Sequence, residues 1–160
     1  MIGSMPPLPA AAGALDYKTL ADLRYRLRRF LRAREEVARG VGIEPQQYLL
    51  LLQIKGLTGR VPTTIGVLAE RLQIRHHAAV QLVDRLAGRG LVQRRREGRD
   101  RREVVVGLRP AGERVLRQVA MYSLTELTTD GPQLVSTLTR LIRQSTRGKM
   151  PSPIGTGKAK

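Results

Sequence analysis

Apolar residues recur at intervals of three and four along most of the chain, which predicts a largely helical protein. The first such segment covers residues 16–39, where leucines and Phe30 form one stripe and arginines fill the other faces. Pro45 begins a second helix, whose body YLLLLQI is apolar enough to be largely buried. A loop with two glycines and a proline, residues 56–62, separates this helix from the next element.

Two shorter helices are predicted next, joined by a turn of four residues. Thr63 or Thr64 caps the first of them, and Gln73 to His76 form the turn. The second helix ends at the glycines of residues 88–90. The residues expected to face inward are Ile65, Leu68, Ala69 and Leu72 in the first helix and Val80, Val83 and Leu86 in the second.

A hairpin and two further helices complete the pattern. Leu91 and Val92 begin a strand, and turn-forming residues at 97–100 lead to a partner strand on which Val104, Val106 and Leu108 share one face. Another helix starts at Pro110, with Val115, Leu116, Val119 and Leu124 expected inside. After a break at residues 130–132, the last helix carries an apolar stripe of Leu134, Leu138, Leu141 and Ile142.

This order of elements predicts a mainly α fold with a small β-hairpin, a winged helix-turn-helix flanked by long helices. The flanking helices carry more apolar surface than the central motif needs for its own core, which suggests a partner chain. The alternative is a monomer in which these helices simply pack over the motif. The length of 160 residues favours one domain with its own core over two independent domains.

A formal net charge of +16 favours polyanionic partners, whether DNA, RNA or an acidic membrane surface. With one Phe, four Tyr and no Trp, a platform for stacking single-stranded bases is disfavoured. The absence of cysteine excludes disulfides, thiolate zinc sites and cysteine-based redox sensing in this chain. The first 15 residues make a poor secretory signal, and the apolar runs are too short to span a membrane, so we expect a cytoplasmic protein.

Arginine is concentrated in the predicted helix-turn-helix and hairpin. Residues 63–110 contain eleven arginines against five acids, a local excess of six positive charges. A recognition helix meets base edges with its amino-terminal residues, and Arg and Gln can each make two hydrogen bonds to a base. The candidate contacts on this helix are Arg75, His76, His77, Gln81 and Arg85. The alternatives are a solvated helix face for Arg75 and Gln81, and a capping or supporting role for either histidine.

The amino-acid sequence of these segments resembles that of the MarR family of bacterial winged-helix transcriptional regulators. The matching segments are IGVLAERLQI, VQLVDRLAGRGLVQRR and GRDRREVVVGLRPAG, within a resemblance that covers about residues 16–143. The family's wing has an Asp-x-Arg element, alternating apolar residues, a Leu-Thr pair and a glycine. Here Leu108 precedes Arg109 where the family has Thr, which leaves the capping of the next helix open, and Gly112 supplies the glycine.

The resemblance implies that a wing arginine enters the minor groove while the Asp orients an arginine by a charge-assisted hydrogen bond. Arg102 is the matching position, and Arg101 remains an equal candidate. The wing candidates are Arg99, Asp100, Arg101 and Arg102, with Arg94 and Arg95 on the preceding strand as phosphate contacts. Because Arg94, Arg95 and Arg96 alternate sides, at most two of them can face a duplex. The alternative is a solvated, charged turn.

The resemblance also implies a homodimer that binds a pseudopalindromic operator and represses transcription. By this resemblance, the domain at 16–146 has its DNA-binding lobe at about 57–110 and dimerisation helices at about 16–39 and 111–146. From the residues themselves we expect a flexible segment at 1–15 and a disordered basic tail at 147–160, because the tail has too little apolar content to pack. Many members of the family bind small aromatic or anionic effectors. Tyr25, Tyr48 and Arg28 could line such a pocket, although core packing is the preferred interpretation for both tyrosines, and we assign no effector.

An enzyme is not expected. The tail segment GTGK lacks the earlier glycine, the following Ser/Thr and the helix of a phosphate-binding loop. Two adjacent histidines and few acids assemble neither a catalytic triad nor a metal site, so no cofactor or metal is predicted. The competing function is a winged helix that binds structured RNA or a protein partner through its wing.

Overall fold

The computed structural model describes residues 16–97 and 103–147. Within these residues the chain forms six helices and one antiparallel pair of strands. In chain order these are α1 (Tyr17–Gly40), α2 (Pro45–Leu57), α3 (Ile65–Leu72), α4 (His76–Gly88), β1 (Val92–Glu97), β2 (Glu103–Leu108), α5 (Pro110–Thr129) and α6 (Gly131–Arg147). The mainly α, winged helix-turn-helix fold is therefore confirmed. The predicted segment 1–15, the hairpin tip at 98–102 and the tail beyond Arg147 lie outside the described residues.

The chain divides into two compact units, Phe30–Thr128 and the described parts of Met1–Arg29 with Thr129–Lys160. The unit Phe30–Thr128 contains the helix-turn-helix, the hairpin and a continuous apolar core. Helix α2 supplies much of that core, because Tyr48, Leu50, Leu51 and Ile54 are buried. Its Leu49 and Leu52 are 43% and 39% exposed, so the expectation of a largely buried body holds for one face only.

Local sequence signals explain the start of α3 and the turn that follows it. The Thr64 hydroxyl caps α3 by accepting a hydrogen bond from the Val67 N–H at 3.3 Å. At the other end, Gln73 adopts a left-handed conformation with φ 54°, which reverses the chain within three residues before α4 begins at His76. The turn is thus one residue shorter than predicted.

The hairpin differs from the simple alternation that the sequence predicts. Val106 is fully buried as expected, but Val104 is 37% exposed and Val105, on the opposite face, is only 4% exposed. The reason is that Thr64 forms an isolated bridge with Val105, and the Thr63 carbonyl accepts the Val106 N–H at 2.9 Å. Strand β2 therefore has an extended neighbour on each side.

Two predictions of buried residues on helices are wrong. Val80 on α4 is only half-buried, and Ala79 and Leu82 join Val83 and Leu86 in the core instead. Leu124 on α5 is 65% exposed. Because five residues turn a helix by about 140°, Leu124 faces away from the stripe that buries Val119.

In the unit that joins the start of α1 to α6, Asp16 caps α1. Its carboxylate accepts hydrogen bonds from the Thr19 hydroxyl at 2.5 Å, the Thr19 N–H at 2.9 Å and the Gln144 amide at 3.1 Å. These bonds, led by the Thr19 hydroxyl, lower the pKa of Asp16 to about 2. Arg26 donates to Gln133, and Arg29 lies 3.8 Å from Asp130, so polar contacts hold the start of α1 to α6.

Large apolar side chains remain exposed on three helices. On α6, Val135, Leu138 and Ile142 are 63%, 46% and 55% exposed. The others on these helices are Tyr17, Leu20, Tyr25, Leu27 and Leu31 on α1, and Met121, Tyr122, Leu124 and Leu127 on α5. The sequence suggested that the flanking helices carry surplus apolar surface, and the structure shows such exposed side chains on all three of them.

Candidate nucleic-acid interface

The amino-terminal end of α4 is open and basic. Its N-cap residue, Arg75, has extended backbone angles and makes no side-chain cap hydrogen bond, and the first turn contains no acid. The first N–H groups of a helix lack intrahelical partners and carry partial positive charge. Arg75, His76 and His77 are all exposed here. This end of α4 therefore combines helix N–H groups with cationic and hydrogen-bonding side chains.

A polar stripe runs along the outer side of α4. His77, Gln81 and Arg85 are exposed and spaced four residues apart, which places them on one helix face about 12 Å long. The buried residues, among them Leu82 and Leu86, occupy the opposite face. His76 is exposed but lies about 100° around the helix from His77, so it flanks the stripe. The structure thus brings together most of the residues predicted on this helix.

Strand β1 adds arginines beside α4. Arg94 lies on the same side of the strand as buried Val92, and its Nη1 makes an ion pair of 2.5 Å with Oδ1 of Asp84 on α4. Arg95 lies on the other side, where its guanidinium is near Gly107 of β2, and it is exposed. The ion pair neutralises Arg94 in part and ties the wing strand to α4, a role that the sequence did not predict.

The other predicted residues are those of the wing tip and those considered for an effector pocket. The wing residues Arg99, Asp100, Arg101 and Arg102 lie outside the described residues, so their roles stay predictions. Tyr48 is buried as expected, with its hydroxyl 3.5 Å from that of Ser123. Core packing is wrong for Tyr25, which is 66% exposed, because it lies on a part of α1 whose apolar neighbours are exposed too. Arg28 is exposed on the same helix.

The comparison with protein-family models matches residues 41–103 to the MarR family. This range covers α2, the helix-turn-helix and the first strand of the wing. The part of the chain that forms α2, the helix-turn-helix and β1 is therefore similar to the MarR family. The resemblance read from the sequence is therefore confirmed.

Solved structures resemble the chain over most of its length. RV1404 from Mycobacterium tuberculosis is 26% identical with a TM-score of 0.64, covering 84% of this chain and 97% of that one. A MarR mutant from E. coli, complexed with operator DNA, is 22% identical with a TM-score of 0.60, covering 80% and 93%. A MepR mutant from S. aureus, bound to an oligodeoxyribonucleotide, is 18% identical with a TM-score of 0.58, covering 81% and 97%. Comparison with curated proteins returned no match.

The glycine of the MarR-like wing sequence has a physical role in this chain. A Cβ atom at Gly112 would lie 2.1 Å from the Leu91 carbonyl oxygen, so only glycine permits the close approach of α5 to the chain after α4. The same oxygen accepts the Arg109 N–H at 2.9 Å, and the Arg109 carbonyl accepts the Glu113 N–H at 3.0 Å. Arg109, in place of the family's Thr, therefore joins the start of α5 through its backbone.

Neither a metal-ligand cluster nor a helix able to span a membrane is found among residues 16–97 and 103–147. No group of three or more His, Cys, Asp and Glu residues there could hold a metal ion. Over the same residues, no helix has both the length and the apolar character needed to cross a membrane.

Proposed function

We propose that this chain is a sequence-specific, double-stranded DNA-binding transcriptional regulator that acts as a homodimer. The observation that carries the proposal is the outer face of α4, where Arg75, His77, Gln81 and Arg85 are exposed opposite a fully buried apolar face. An α-helix fits the major groove, and side chains near its amino terminus reach the base edges first. Arg75 and Gln81 carry the bidentate hydrogen-bonding groups that distinguish guanine and adenine.

The other basic residues are assigned to positioning on the phosphate backbone and to the minor groove. Arg95 on β1 is exposed and suits a phosphate contact, and Arg94 shares this role while paired with Asp84. Arg102 of the wing is proposed to enter the minor groove, with Asp100 orienting an arginine of the Asp-x-Arg element. Similar structures from E. coli and S. aureus were solved with operator DNA and an oligodeoxyribonucleotide, which supports a DNA partner.

The exposed apolar faces of α1, α5 and α6 support a homodimer. Leu138 and Ile142 on α6, and Met121 and Leu124 on α5, are each at least 46% exposed. Burying one such side chain contributes about 1.5–3 kcal/mol, so a few of them from each chain provide a strong driving force for association. Two chains would present two α4 helices to an inverted repeat with half-sites about one helical turn apart.

The proposed mechanism is repression, in which the dimer occupies its operator and excludes polymerase. The proposal includes a response to a small aromatic or anionic effector, as in many members of the family, and no residue is assigned to effector binding. We propose no catalytic activity. The competing partner, structured RNA, is disfavoured because the deep, narrow major groove of an RNA duplex does not admit the side chains of a helix, while the exposed stripe of α4 suits the wider major groove of DNA.

The test is selection from a pool of random DNA duplexes, sequenced after binding and repeated at two salt concentrations. A sequence-specific dimer enriches an inverted repeat with half-sites about 10–10.5 base pairs apart or a multiple of that distance. If no sequence is enriched and the affinity falls steeply as salt rises, the positive charge of the protein acts on phosphates alone. Structured RNA or a protein partner would then become the better proposal.

A further inference from the structure

The side chain of Arg89 bridges the end of α4 to the turn between α1 and α2. Its Nη2 donates a hydrogen bond of 2.8 Å to the Gly42 carbonyl, and its Nη1 donates one of 3.0 Å to Oε1 of Gln47. Arg89 is the C-cap residue of α4, while Gly42 and Gln47 stand on either side of the start of α2. One guanidinium therefore joins segments that are 42 and 47 residues apart in sequence.

Both acceptors are held in place by other contacts. Gln47 is only 6% exposed, and the same Oε1 accepts the Glu44 N–H at 3.1 Å as part of the capping box of α2. Gly42 has a φ of 80°, a conformation that glycine adopts without strain, and its N–H donates to the Arg39 carbonyl at 2.9 Å. The carbonyl and amide oxygens that Arg89 reaches thus belong to an ordered turn.

The backbone at Arg89 is fixed in the same way. The Leu91 N–H donates to the Leu86 carbonyl at 3.0 Å, the Gly90 N–H donates to the Ala87 carbonyl at 2.9 Å, and Gly90 has a φ of 69°. This is the Schellman arrangement that closes a helix at its carboxyl end. The side chain therefore leaves a hydrogen-bonded helix end and contacts a hydrogen-bonded turn, so its two hydrogen bonds restrict the orientation of α4.

Arginine suits this position because its planar guanidinium presents two terminal nitrogens to two acceptors at once. Lysine has the same charge but one nitrogen at the end of a flexible stem, so it does not reproduce the two-armed contact. The acceptors are neutral oxygens, and hydrogen bonds to them from a charged donor are stronger than bonds between neutral groups.

We propose that Arg89 is a positioning residue for DNA recognition. It holds the carboxyl end of α4 to the α1–α2 turn and so fixes the angle at which His77, Gln81 and Arg85 meet the bases. This inference rests on the proposed function, because it concerns how α4 reads a duplex. Base-edge hydrogen bonds require placement within about 0.5 Å, and residues behind the contacting side chains supply that accuracy.

The test compares Arg89→Lys and Arg89→Gln with the wild type on the selected duplex and on a scrambled duplex over a range of salt. Arg114→Lys, an exchange of an exposed arginine on α5, is the matched control. Both Arg89 variants are expected to lose roughly tenfold or more in affinity for the selected duplex, the size of effect typical of a lost charge-assisted hydrogen bond. Arg89→Lys leaves affinity for the scrambled duplex and the salt slope unchanged.

Gln47→Leu tests whether the effect passes through the observed contact. This variant removes the acceptor while keeping a side chain of similar size, and combining it with Arg89→Lys should cost no more specific affinity than Arg89→Lys alone. Losses that simply add would overturn the proposal. The melting temperature and the fraction of molecules able to bind DNA are measured for every variant. If a variant only has fewer molecules able to bind, and those molecules bind like the wild type, the proposal is also overturned.

A direct phosphate contact gives a different result. In that case Arg89→Lys binds like the wild type, while Arg89→Gln weakens binding to both duplexes equally and reduces the salt slope by about one. That outcome would overturn the positioning role. If the wild type itself prefers no duplex, the proposed function fails, whereas a selective wild type matched by all Arg89 variants refutes this inference alone.

Discussion

Helices α4 and α6 are both amphipathic, but of these two only α4 buries its apolar face among residues 16–97 and 103–147. Its Leu82, Val83 and Leu86 are at most 4% exposed. On α6, Val135 and Leu138 are 63% and 46% exposed, although the helix separates polar and apolar residues at least as sharply. Among the described residues, the polar face of α4 is exposed and can meet a partner of opposite charge, while large apolar side chains on α6 are also exposed. We therefore propose two different partners for these helices, a nucleic acid for α4 and a second copy of the chain for α6.

The largest expected effect comes from a charge on the apolar face of α6. Leu138→Asp should dissociate the proposed dimer, because a carboxylate cannot be buried in an apolar interface without a partner. Operator affinity should fall by orders of magnitude, since two linked half-sites bind far more tightly than one. Sedimentation equilibrium and DNA titration provide the measurements.

The matched control for this substitution is Ser136→Asp, which adds the same charge about 160° around α6 from Leu138. It should leave the mass in solution unchanged. A folded Leu138→Asp variant that stays dimeric would show that α6 does not form the interface.

The second prediction concerns stability and the close packing of α5 against the chain that follows α4. Gly112→Ala should lower the free energy of unfolding by about 1–3 kcal/mol, the usual cost of overpacking, because its Cβ would lie 2.1 Å from the Leu91 carbonyl oxygen. Gly88→Ala is the control, since a Cβ at that position meets no atom within 4 Å. Urea denaturation compares the two, and equal stability of both variants would show that α5 does not need this close approach.

Removal of a proposed base contact should change specificity more than stability. Gln81→Ala is expected to cost about 1–3 kcal/mol at one base pair of the operator and to relax preference there. Gln118→Ala on α5, which removes an exposed amide from a helix without a proposed base contact, is the control. Competition with single-base operator variants measures the change, and an equal loss on every sequence would assign Gln81 to phosphate.

The wing is proposed to supply a DNA contact outside α4. Arg102→Ala should weaken operator binding by roughly 1.5–3 kcal/mol, as for a lost charged hydrogen bond, and leave the dimer and Tm nearly unchanged. Arg101→Ala is the companion variant that distinguishes the two candidates for the minor groove. Unaltered affinity of the Arg102 variant in fluorescence anisotropy titrations would remove Arg102 from the contacts.

The smallest effect is the pH dependence of the unit that contains α6. Because the pKa of Asp16 is lowered to about 2, its carboxylate contributes stability above its unfolded pKa near 4, and that contribution is lost as the pH falls towards 2. Asp16→Asn should flatten the change in Tm between pH 4 and pH 2. Asp22→Asn, which removes an equal charge from α1, should keep the wild-type slope, and identical slopes for the two variants would contradict the assignment.

The sequence predicted the parts of the fold that depend on local chemistry. Thr64, one of the two candidate caps, marks the start of α3 through its hydroxyl, and the glycines near the end of α4 mark that end through their backbone preferences. It failed for Val105, whose burial depends on a distant extended segment, and for Leu124, which lies about 140° around α5 from the buried Val119.

In the candidate site, too, the sequence predicted local features but not contacts between distant segments. Exposure of Arg75, His77, Gln81 and Arg85 follows from helical periodicity, so the sequence was sufficient to place them on the outside of α4. The contacts of Arg94 and Arg89 were not predictable, because they join side chains from different elements. Such contacts leave no periodic signal in one sequence.

The most direct test of the account is the mass and affinity of the complex on the selected duplex, compared with a duplex in which one half-site is scrambled. A homodimer should place two chains on each duplex that carries the intact repeat. We also expect a fall of more than about tenfold when one half-site is lost, since each mismatched base pair costs about 1–3 kcal/mol. One chain per duplex, or equal affinity for both duplexes, would contradict a dimer that reads DNA through two copies of α4.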